Sequence, residues 1–171
     1  MSPNSTLVRS HLPRPMKDPK DPVAAPWKAP PSSKAKNAVQ RAVTQLLDEL
    51  APERVLKRSE QLRVPVEQHR TPTGCVLQAP SAAVSVSWFS GAGNDPVLGE
   101  LRVVVWRGVV SRRGSPKQKE GATVVSEIVL HPIENPSDDR VWRTTDGVDY
   151  DTPGLALLCT KLLDQQVGSS E

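Results

Sequence analysis

The chain has 171 residues, with 22 Lys or Arg against 19 Asp or Glu, and contains 17 Pro, 3 His and 2 Cys. It has no run of about 18 apolar residues to span a membrane, no apolar export-signal core at its start, and no Cys-x-x-Cys or His at metal-ligand spacing. A membrane protein, a zinc module and a disulfide scaffold are therefore disfavoured, and a reduced, cytoplasmic chain without cofactor is expected.

The charge is uneven along the chain. Residues 1–70 carry 13 basic and 7 acidic groups, whereas residues 71–171 carry 9 and 12. Residues 1–31 hold eight of the prolines and no apolar periodicity. Ordering such a segment costs roughly 1–2 kcal/mol per backbone residue, and its few larger apolar side chains return only about 1.5–3 kcal/mol each. A disordered, basic, Pro-rich arm is expected over 1–31, ahead of a single α+β domain over 32–168.

In that domain, Ser32 or Ser33 caps a helix over 33–50. Its Ala35, Ala38, Val39, Ala42, Val43, Leu46, Leu47 and Leu50 recur at spacings of three and four, which is one buried stripe. Pro52, Val55 and Leu56 suggest a short second helix over 52–60, ending before Val64-Pro65. Strands are expected near 74–78, 82–89, 97–111, 122–131 and 140–145, and Thr152-Pro153 opens a closing helix over 153–167. The predicted architecture is an antiparallel meander of four to five strands, flanked by an N-terminal and a C-terminal helix.

Residues 97–130 read as the central hairpin, because two Val-rich runs flank a basic connector with Gly, Ser and Pro. Pairing Val86 with Leu101, and independently Val105 with Ile128, puts Leu101, Val103, Val105 and Val109 on one face, taken as the core. The opposite face then collects Ser85, Arg102, Val104, Trp106, Glu127, Val129 and His131. Trp106 lies beside Glu127 in this register, and Trp142 joins the same face if residue 131 faces residue 140. Two Trp with Val neighbours form a surface that something should cover: the chain's own helix, a partner, or a second copy.

Other chemistry is sparse. Arg112, Arg113, Lys117 and Lys119 on the hairpin tip can contact phosphates, without an aromatic for base stacking. Gly91-Ala-Gly93 does not open a helix, so it is no dinucleotide fingerprint. Asp146, Asp149 and Asp151 lack calcium-loop spacing. His131 with Glu127 is the single acid-base pairing on offer, and no nucleophilic triad or metal set can be assembled. The residues therefore favour a non-enzymatic protein-interaction module or homodimer. A nucleic-acid accessory protein using the arm and the 112–119 loop ranks second, and a ligand binder or enzyme on the Trp106 face ranks third.

Overall fold

The computed structural model describes residues 30–50, 55–57, 63–91, 98–110, 121–134 and 140–169. The expected arm, the loop around 92–97 and the basic hairpin tip lie outside the described residues. Helix α1 (Ser33–Glu49) begins where the Ser32 hydroxyl accepts from the Ala35 amide at 3.2 Å. It buries Val39, Ala42, Val43, Leu46 and Leu47, the expected stripe. With no acid in its first turn and no base in its last, its stability comes from that stripe and not from charge on the helix dipole.

The chain departs from expectation immediately afterwards. Where a second helix was expected over 52–60, β1 (Val55–Lys57) pairs antiparallel with β2 (Arg63–Pro65). Pro65 forces Val64 into an extended conformation, and a helix this short is marginal by itself, so strand pairing satisfies the backbone better.

Seven further strands form one antiparallel meander in sequence order: β3 (Glu67–Thr71), β4 (Gly74–Gln78), β5 (Ala82–Ser90), β6 (Gly99–Arg107), β7 (Thr123–Glu134), β8 (Arg140–Thr144) and β9 (Asp149–Tyr150). β4 to β8 fall where the Val, Ile and Trp runs place them. β3 and β9 were not expected, because Glu-Gln-His-Arg-Thr carries no apolar residue and β9 is two residues long. Both are edge strands, where polar composition and shortness are the rule.

Register decides which side chains enter the core. β5 pairs with β6 through Val86–Val103 and Val84–Val105, two residues away from the expected pairing, so every face is preserved. β6 meets β7 through Leu101–Leu130 and Val103–Ile128, again displaced by two, until a bulge between Val105 and Trp106 leaves Val125 without a counterpart. β7 and β8 differ by an odd step: His131 faces Arg143 and Pro132 faces Trp142. Trp142 is therefore turned away from the Trp106 face, correcting the sequence reading. It is fully buried and meets Trp88 edge-on, with ring centroids 6.0 Å apart. Val109 also leaves its expected place in the core, because β6 ends at Arg107 and Gly108, at φ +94°, turns the chain outward.

Helix α2 (Thr152–Gly168) starts one residue earlier than expected, with Asp151 as its cap accepting from the Gly154 amide at 2.8 Å. Its Leu155, Ala156, Cys159, Leu163 and Val167 pack over Val84, Val86, Leu101, Val103 and Trp142 in one continuous core. α1 packs against α2 on the same side of the sheet. Its Asp48 pairs with Arg70 of β3, and Arg70 lies opposite the core residue Cys75. Among the described residues no helix is long and apolar enough to cross a membrane.

Candidate functional site: the open sheet face

Because both helices lie on one side of the sheet, the other side stays uncovered by them. Three cross-strand rows build it. Val76, Ser85, Val104 and Glu127 are successive partners across β4 to β7; Ser87, Arg102 and Val129 form the second row; and Gln78, Ala83, Trp106 and Val124 form the third. The predicted residues Arg102, Trp106, Glu127 and His131 thus share this face, and Trp142 does not.

Trp106 is the centre of its row. Ala83 is completely buried yet lies outside the helix-side core, between Trp106 and Gln78. The indole Nε1–H of Trp106 donates to the Ser85 hydroxyl at 2.9 Å, which ties the ring to the neighbouring strand β5. Its partner Val124 is 55 % exposed, so the row ends in bare apolar surface. Gln78 braces the same end. Its amide donates to the carbonyls of Ala82 and Gly108 and its Oε1 accepts from the Val110 amide at 3.0 Å.

Charge is concentrated at the far end of the rows. Arg102 donates to Glu100 at 2.6 Å, lies 3.6 Å from Glu127, and holds its guanidinium 5.2 Å above the half-exposed Phe89 ring. An Arg held between two carboxylates and an aromatic face is a fixed, planar donor at the surface. Glu127 and His131 are not joined as an acid-base pair: Glu127 is committed to Arg102, while His131 Nδ1 lies 3.3 Å from the Gly99 carbonyl oxygen. Beyond His131, Arg143 donates twice to Asp149, at 2.6 and 2.8 Å. That bond raises the Arg143 pKa and lowers that of Asp149, so both stay charged at neutral pH.

The thiols stand apart from this face. Cys75 and Cys159 are free and buried in the core. Burial pushes Cys75 up, and burial followed by the proximity of Cys75 pushes Cys159 up to about 12, so neither is a thiolate nucleophile at neutral pH. Among the described residues no group of three His, Cys, Asp or Glu could hold a metal ion. A depression of about 420 Å³ lies beside β7, lined by Glu127, Ile128, Val129, Thr144, Thr145, Asp146, Val148 and Tyr150. Its polar lining consists of Glu127, Thr144, Thr145, Asp146 and Tyr150. Arg112, Arg113, Lys117 and Lys119 lie outside the described residues.

Val76, Gln78 and Phe89 belong to this face and were not singled out from sequence. Val76 was legible in principle, since alternation along β4 sends it opposite to Cys75 and Leu77. Gln78 was not, because its role depends on the Gly108 carbonyl, 30 residues away. The chain matches no known family model, no curated protein and no solved structure.

Proposed function

We propose that the protein is a non-enzymatic interaction module that docks a protein partner on the open sheet face, with Trp106 as the anchor. One observation carries this reading: both helices cover the same side of the sheet, leaving Trp106, Val104, Val129, Val124 and Phe89 as a half-buried to exposed apolar strip edged by Arg102, Glu100 and Glu127. An apolar centre with an aromatic anchor and a rim of fixed charge is the composition of a protein-binding patch. The absence of a paired base and nucleophile along the strip favours binding over chemistry.

Trp106→Ala tests it. Capture of a partner from lysate by the wild-type protein should fall by a factor corresponding to about 2 kcal/mol or more, while the variant's circular dichroism stays native. Undiminished capture by a folded Trp106→Ala protein would refute docking on this face.

A further inference from the structure

Among the described residues three unpaired stretches of edge stand out, and two are blunted. β9 is only two residues long, and β3 carries Glu67, His69 and Arg70 within five residues, the composition that keeps edges from pairing. The third is the first half of β7. β6 pairs with this strand from Thr123 to Leu130, but β8 pairs with it only from Leu130 to Glu134. Among the described residues, nothing pairs with the other side of Thr123–Val129. In an antiparallel ladder about half of the backbone N–H and C=O groups of such a stretch point away from the strand already paired. Here they point into the lane that β8 would occupy if it were longer.

Apart from the bulge at Val125, this edge lacks the usual guards. Residues 121–131 contain no Pro, Lys or Arg, and one acid, Glu127. All residues from Thr123 to Glu127 are exposed, Val124 at 55 % and Val125 at 46 %. The lane is closed at one end by the turn from Thr144 to Val148 and there opens into the depression beside Ile128 and Tyr150.

We infer that the occupant is β7 of a second copy of this chain, paired antiparallel across a two-fold axis. The backbone groups specify an extended strand, and Thr-Val-Val-Ser-Glu is such a strand, already held extended by β6 at no further cost in chain entropy. A two-fold axis makes the same segment its own antiparallel partner, the commonest form of self-association. With the axis between Val124 and Ser126, Glu127 of one copy lies opposite a residue N-terminal to Ser126 in the other, so the one acid never faces itself. The two sheets would join into a single sheet across the bulge. The inference stands on the backbone edge and not on the docking reading above.

Sedimentation equilibrium over a concentration series, with amide hydrogen exchange on the same samples, tests it. The mass should rise with concentration from the 18.6 kDa of one chain towards twice that value. Amides within 123–129 should gain protection in parallel. Val125→Lys places a charge at the bulge residue, which has no counterpart on β6, and should weaken dimerisation about tenfold or more while leaving the melting temperature of the dilute protein unchanged. A monomer at every concentration would overturn the inference. So would a dimer whose 123–129 amides exchange as in the monomer, whether or not the Val125→Lys protein folds. A dimer dissociated by Trp106→Ala but not by Val125→Lys would assign self-association to the face and remove it from the edge.

Discussion

The two sheet tryptophans should respond to truncation in opposite ways, because the register places one inside the fold and the other on its open face. Trp142 is fully buried against Trp88. Truncating a core Trp costs about 3–5 kcal/mol, and losing an edge-on aromatic pair costs about 0.5–1.5 kcal/mol more. Against this, its Nε1–H is buried without an acceptor among the described residues, and removing an orphaned donor returns about 1–3 kcal/mol. The net for Trp142→Ala is about 3 kcal/mol, or about 6–12 °C of melting temperature for a chain of this size. Trp106→Ala loses one half-exposed hydrogen bond to Ser85 and part of one side chain's burial, about 1–1.5 kcal/mol.

Urea denaturation followed by circular dichroism on the two variants and on Trp142→Phe checks the reasoning. Trp142→Phe keeps a ring beside Trp88 and removes the N–H, so it should recover most of the loss. Equal losses for Trp106→Ala and Trp142→Ala would refute the assignment of faces, since they would mean that Trp106 is also covered by its own chain. A Trp142→Phe protein no more stable than Trp142→Ala would show that the N–H is bonded in solution.

Gly99→Ala should lose about 2–4 kcal/mol, read as a drop in melting temperature, because Gly99 sits at φ +135° and an added Cβ would lie 2.7 Å from the Trp88 ring; an unchanged melt would contradict the strain argument. Cys159, whose thiol is raised from 9.0 to about 12, favours the protonated form in the fold, so its contribution is complete below pH 9 and lost as pH rises towards 12. Stability measured across that window should fall, and Cys159→Ala should flatten the fall. Asp149, held below the usual carboxylate range by its hydrogen bond to Arg143, contributes above that range and loses its contribution as pH falls through its depressed value. Asp149→Asn should therefore remove a small acid-side slope in stability; an unchanged acid-side slope would assign the effect elsewhere.

How much of this was legible beforehand depended on what each element's sequence had to satisfy. α1, α2 and β4 to β8 each carry a periodic apolar pattern that one buried face demands, and their places followed from it. β3 and β9 lie at edges, where no burial is demanded of their sequences, so pattern could not reveal them. The helix expected over 52–60 failed for a related reason. Three residues of strand leave no periodicity to read, and the partner that makes Val55–Lys57 a strand, Arg63–Pro65, is just as short.

The candidate site turned on parity. Side chains alternate with a period of two, so a pairing wrong by two residues gives every face correctly and one wrong by an odd number inverts a whole strand. The expected pairings of β5 with β6, and of β6 with β7 up to the bulge, were each displaced by two, and Arg102, Val104, Glu127 and Val129 still came out on one face. The pairing of β7 with β8 was displaced by three, and Trp142 went from the expected surface to the centre of the core. Within β8, Trp142 and Thr144 alternate with Val141 and Arg143, so either face could have been the buried one from pattern alone. The Arg143–Asp149 pair selects between them, since turning β8 over would bury both charges under α2 and expose a Trp. Taking an isolated carboxylate or guanidinium out of water costs far more than the surface ion pair returns, so the charges fix the strand's orientation and Trp142 follows.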